Sequence, residues 1–158
     1  MLKLFKFFSI SMLVVWALVI FCFSAQDAKD SKDLSRGFTH KLLCVVSPYY
    51  RSLSRAGQEK VLVKVGEGIR KTAHFANYTI LGFISCVAAF SFLLKKPFRL
   101  TGPALLCFLY AVSDEIHQIF VPGRSGEFRD VLIDTAGGLT GILIAFTAAV
   151  LLRAVRKR

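Results

Sequence analysis

The chain has 158 residues, is 54% hydrophobic and carries a formal charge of +11. That apolar share is too high for an ordinary soluble domain of this length. The charges cluster between long apolar runs, which is the pattern of a chain threaded through lipid. Lys and Arg outnumber Asp and Glu by 21 to 10. No nucleic-acid-binding motif accompanies this excess, so nucleic acid is excluded as the expected partner and the anionic headgroups of membrane lipids take its place.

The first apolar run is Phe7 to Ser24, preceded by Lys3 and Lys6. A secretory signal has the same basic start. This core is long for that role, and Phe23 spoils the cleavage site that would end at Ala25, so the run reads as a retained anchor. Residues 25–71 follow as a polar connection with ten basic and five acidic residues. Within it, Val61, Leu62, Val65 and Ile69 recur at helical spacing. They predict an amphipathic helix that lies on the membrane and feeds the second span. Phe38 to Tyr50 is also apolar and is broken by Pro48, consistent with a segment packed at the interface. The further apolar runs are Thr72 to Leu94, Leu100 to Pro122 and Val131 to Leu152. Each has about 20 residues, enough to cross a hydrocarbon core of about 30 Å. The cysteines, Cys22, Cys44, Cys86 and Cys107, form no CxxC or zinc spacing, and three of them sit in apolar runs as small hydrophobes.

The fold class is therefore all-α: a single polytopic helical bundle over residues 1–158, with spans near 7–24, 72–94, 100–122 and 131–152. Loop charge sets its orientation. Lys95, Lys96 and Arg99 form a short basic turn, and Arg153, Arg156, Lys157 and Arg158 form a basic tail. With Lys3 and Lys6, these predict both termini in the cytoplasm and the 25–71 connection outside.

Ionisable residues inside such spans are costly and usually functional. Three groups stand out. Arg70, Lys71, His74 and Tyr78 open the second span, the last three on one helix face. Asp114, Glu115, His117 and Gln118 lie late in the third, where Asp114 shares a face with His117 and Gln118. Asp130 and Asp134 are one turn apart at the start of the fourth, continued by Gly137 and Gly141, a spacing that permits close helix contact. With the predicted topology all three groups fall in the outer half of the bilayer. The short link from Pro122 to Arg129 makes the third and fourth spans antiparallel neighbours. Each residue also has a plainer role open to it. His74 and Tyr78 fit interfacial anchors, Asp130 fits a helix start, and Asp114 paired with Arg124 or His74 fits a structural network.

These residues carry a family resemblance. Arg70-Lys71-Thr72-Ala73-His74-Phe75-Ala76-Asn77-Tyr78, Asp114-Glu115-Ile116-His117-Gln118 continuing to Pro122-Gly123-Arg124, and Asp130-Val131-Leu132-Ile133-Asp134 continuing to Gly137-Gly138 resemble, in order and spacing, the three motifs of the VanZ family. Phe23-Ser24-Ala25-Gln26 is similar to a feature often found after that family's first span. Asn77 departs from the pattern, where a Glu is common. The resemblance implies a multi-pass protein of the bacterial cytoplasmic membrane with a role at the cell envelope. The founding member is linked to resistance against the glycopeptide teicoplanin.

Three functions compete at this stage. In the first, a binding protein, Arg70, Lys71, Arg124 and Arg129 hold the phosphate of a lipid headgroup or lipid-linked cell-wall precursor. The carboxylates of Asp114, Glu115, Asp130 and Asp134, with His74, Tyr78 and Gln118, complete the ligand site. In the second, an intramembrane enzyme on such a substrate, His117 or Glu115 is the general base and Asp114 orients the His. Asp114, His117, His74 and Asp134 could alternatively hold a divalent ion, but no recognised metal signature supports that, and neither metal nor cofactor is assigned. The third is a proton-coupled transporter using the carboxylates as a relay. Ser113 and Ser125 lack the setting of a nucleophile.

Overall fold

A computed structural model of the chain describes residues 2–92 and 97–156. Lys95 and Lys96 of the basic turn, Leu93 and Leu94 at the end of the second predicted span, and Lys157 and Arg158 of the tail lie outside the described residues. The described residues form helices and no strand: α1 (Leu2–Ser24), α2 (Ala28–Val46), α3 (Pro48–Ser52), α4 (Arg55–Ser91), α5 (Phe98–Ile119) and α6 (Phe128–Val155).

Local chemistry sets the breaks between them. Asp27 caps α2 by accepting the Asp30 N–H. Ser47 accepts the Tyr50 N–H, and Pro48 occupies the first turn of α3, where its missing N–H costs nothing. Ser54 accepts the Gly57 N–H and starts α4. The amphipathic stretch at 61–69 and the second span are one unbroken helix of 37 residues. Its length is about 55 Å, nearly twice the hydrocarbon thickness. It leaves room for roughly half of α4 to stand clear of lipid, and α2 packs along this polar half, tied by the Arg36–Glu59 ion pair.

Three helices are long and apolar enough to cross a membrane: Lys3–Ser24, Arg55–Ser91 and Phe128–Val155. They leave large side chains such as Phe7, Leu18, Leu143 and Leu151 exposed. Such surface is a liability in water and the expected face toward lipid. The sequence predicts a fourth span over 100–122. The matching helix, α5, has 22 residues, but Asp114, Glu115, His117 and Gln118 occupy its last turns and lower its apolar content.

The core sits where α1, α4, α5 and α6 meet. Ile20, Tyr78, Leu81, Cys107, Ala111 and Val131 form its centre. Cys86, Ile142 and Ala145 form a second cluster further along. The glycines of α6 bring its backbone against α4. A side chain on Gly137 would collide with the Phe75 carbonyl, and one on Gly141 with the Thr79 carbonyl. Gly82 of α4 meets the Gly138 carbonyl in the same way. The sequence spacing of Gly137 and Gly141 predicts a close helix contact without naming its partner. The stripe faces mainly α4, and Gly138 also abuts α5, at Cys107.

Candidate functional site

The helices converge on a polar cluster at the level where α4 passes the start of α6 and the end of α5. One donor atom each from His74, Asp114 and Asp134 lies within 4.8 Å of the others. Asp134 is fully buried, and neither of its oxygens has a hydrogen-bond partner among the described residues. Its nearest cation is His74, whose Nδ1 stands 3.8 Å from Oδ2, beyond hydrogen-bond length. Asp114 is 4% exposed. It is held from two sides: Ser24 donates to Oδ2 at 2.9 Å and Gln118 Nε2 to the same oxygen at 3.2 Å. Tyr78, one turn beyond His74, is fully buried, and its hydroxyl has no hydrogen-bond partner among the described residues.

Three of the sequence-selected residues have settled partners. Lys71 is surrounded by Glu67, Glu127 and Asp130 at 3.3, 3.8 and 3.4 Å. Its charge is met by these carboxylates, and that of Asp130 is met by Lys71. Glu115 turns toward the loop between α5 and α6, where Oε2 accepts the Glu127 N–H at 2.7 Å. This places a carboxylate at the positive end of α6, a favourable position. His117 does not join Asp114. Its ring rests on Phe21, with ring centroids 4.7 Å apart, and its Nε2 is buried without a hydrogen-bond partner among the described residues. The arrangement in which Asp114 orients His117 as a base is not built. The histidine that faces carboxylates is His74.

Arg124 is aimed by a turn. Gly123 has φ +73°, a conformation that L side chains resist. The chain reverses there, and Arg124 donates from Nη2 to the Phe23 carbonyl at 3.1 Å, at the negative end of α1. Burial lowers the Arg124 guanidinium below its ordinary value, and the neighbouring Arg70 lowers it further, though an arginine starting so high stays charged. A pocket of about 150 Å³ opens here, lined by Arg70, Arg124, Lys32, His74, Gln118 and Asp130 among others. Arg129 is exposed and is not among the lining residues.

Two contributors come from outside the three motifs. Ser24, at the end of α1, reaches Asp114 across 90 residues of sequence. Its only signal was the resemblance of Phe23-Ser24-Ala25-Gln26 to a family feature. Lys32 enters from α2, a segment with no motif. The first helix is locked to the bundle well beyond that serine. Trp16 Nε1 donates to the Asn77 carbonyl at 2.9 Å, and the Tyr110 hydroxyl to the Ala17 carbonyl at 2.6 Å.

Described residues that are helical without a strand, with three apolar helices of membrane length, fit an integral membrane protein, and its buried carboxylates gather at one level of the bundle. The sequence profile of the VanZ/LLP1 family matches residues 8–152, nearly the whole chain, and the chain belongs to that family. No curated protein and no solved structure is significantly similar to it.

Proposed function

We propose that the pocket at Arg70 and Arg124 binds the phosphate of a lipid headgroup or a lipid-linked cell-envelope precursor. The observation that carries this reading is the pairing of two guanidiniums, with Lys32 beside them, at one small pocket. Like charges brought together at a partly buried site repel, and a shared phosphate relieves the repulsion while accepting bidentate hydrogen bonds. In this reading α5 is the fourth span. Its exposed Leu105, Leu109, Ile116 and Ile119 face lipid, and its polar residues turn inward to the cluster. Both termini are then cytoplasmic in a bacterial cytoplasmic membrane, and the pocket faces the outer leaflet. Membership of the family makes glycopeptide susceptibility the phenotype to measure.

Two experiments test this. In a cysteine-free background, a single cysteine at Lys32 is labelled from outside intact cells and one at Lys96 is not; equal labelling of both overturns the orientation. In the second, lipids co-purifying with the full chain in nanodiscs are identified by native mass spectrometry. Phosphate-bearing lipids are expected on the parent and lost from Arg70→Ala/Arg124→Ala, with teicoplanin susceptibility shifting in parallel at equal folded amounts. Capture at this wet rim weakens as salt rises, because exposed charges are screened over about 8 Å at physiological ionic strength. Retention of the same lipids by the double variant, or capture that ignores salt, removes the phosphate reading.

A further inference from the structure

Beneath the arginine pocket lies a cluster that phosphate binding does not explain. Two carboxylates, Asp114 and Asp134, are buried and face one another across His74. Bringing two such charges out of water is expensive unless a partner neutralises both. The arrangement offers little else: His74 stands 3.8 Å from Asp134, and the Asp134 oxygens accept no hydrogen bond among the described residues. Tyr78, on the same face of α4 as His74, adds a third buried oxygen without a hydrogen-bond partner among the described residues.

The geometry points to a divalent transition-metal cation held by His74, Asp114 and Asp134. The three ligands come from α4, α5 and α6, one from each. A tetrahedral ion with bonds of about 2.1 Å holds its donors about 3.4 Å apart. Donors gathered within 4.8 Å therefore close on an ion by a shift of at most about 0.8 Å per side chain. One imidazole and two carboxylates suit the manganese–zinc class better than Mg²⁺ or Ca²⁺, which prefer oxygen alone. Ser24 and Gln118 hold Asp114 in the manner of the outer hydrogen bonds that orient metal-binding carboxylates. Three protein ligands leave coordination positions free, as in sites where the ion also binds an exogenous oxygen. His74 lines the pocket that carries Arg70 and Arg124. A phosphate there can complete the coordination sphere, and this last step alone rests on the phosphate reading.

The test uses the full chain in nanodiscs made from uncharged lipid, without phosphate, so that the cation is measured by itself. The chain is stripped with chelator and titrated with Mn²⁺ by electron paramagnetic resonance, with Zn²⁺ as competitor and Mg²⁺ as control. Saturable binding of about one Mn²⁺ per chain is expected, displaced by Zn²⁺ and not by Mg²⁺, with at least a 100-fold loss of affinity in Asp134→Asn and His74→Gln. The asparagine keeps the carboxylate's shape and removes a buried charge, so it should fold. Should either variant fail to fold, the ligand is identified by leaving the site intact. His40→Gln/His117→Phe removes every other histidine of the chain, and Mn²⁺ bound to it should still show coupling to one imidazole nitrogen. Absence of saturable binding by the parent overturns the proposal, and so does a bound ion without nitrogen coupling or one indifferent to Asp134→Asn. Because no phosphate is present, loss of lipid capture by the arginine variant would leave this result standing, and the reverse also holds.

Discussion

The two ends of the α4–α6 pairing are built on opposite principles. From Phe75 to Phe83 the helices meet through Gly137 and Gly141 of α6 and Gly82 of α4, and the contacts are of backbone on backbone. Cys86, Ile142 and Ala145 seal the far end without a buried charge. At the near edge the same helices hold His74 against Asp134, with a buried tyrosine that has no hydrogen-bond partner among the described residues one turn along α4. The comparison teaches how the polar end persists. Dispersion and close packing at the glycine end fix the helices, so the polar end need not contribute to its own assembly. It can hold groups that would otherwise pull the helices apart or rotate them to find partners.

The comparison breaks most sharply at the glycine end. Gly141→Leu places a side chain into the Thr79 carbonyl, and backbone cannot yield as a side-chain tip can. A cost above about 3 kcal/mol is expected, seen as loss of monodisperse protein on size-exclusion chromatography. A folded variant of parental thermal midpoint would show that the glycine contacts do not fix the pair. The polar end should respond less. Ser24→Ala deletes one of two hydrogen bonds to the Asp114 carboxylate, which costs about 1.5–3 kcal/mol for a bond to a charged group. A lower thermal midpoint with the fold intact is the expected result, and an unchanged midpoint would mean that Asp114 does not depend on α1. The smallest effect belongs to His117→Phe. The ring stays on Phe21, and the buried, unpartnered Nε2 is removed. Stability should stay within about 0.5 kcal/mol, with lipid capture at the parental level. A loss of capture without a loss of folded protein would return His117 to the site.

Much of this was legible in the sequence, and the limits have physical causes. Apolar runs of membrane length locate α1, the inner half of α4 and α6. The spacing of His74, Asp114 and Asp134 against the ends of their runs places them at one depth, where the structure brings them together. Helical spacing alone does not give the rotation of a helix. Gln118 and His117 are both near neighbours of Asp114 by position, yet only Gln118 bonds to it, because α5 is turned to lay His117 on Phe21. The neutralisation of Lys71 depends on Glu127 and Asp130 arriving from another helix, which no local pattern encodes. The fourth span is the instructive ambiguity. The residues that give α5 its interest are the ones that lower its hydropathy.

The unbroken length of α4 also has a mechanical meaning. The glycine contacts with α6 run from Phe75 to Phe83, so the limb that stands clear of them runs about 30 Å from Phe75 to Arg55 at 1.5 Å per residue. It is a rigid arm with its fulcrum at the glycines and its limb braced by α2 through Arg36 and Glu59. His74 sits one residue from that fulcrum, so a tilt that carries the Arg55 end by about 3 Å moves the α4 backbone at His74 by about 0.2 Å. That is inside the half ångström within which binding constellations must be held. Pressure on the far end of the arm leaves the imidazole facing Asp134 in place.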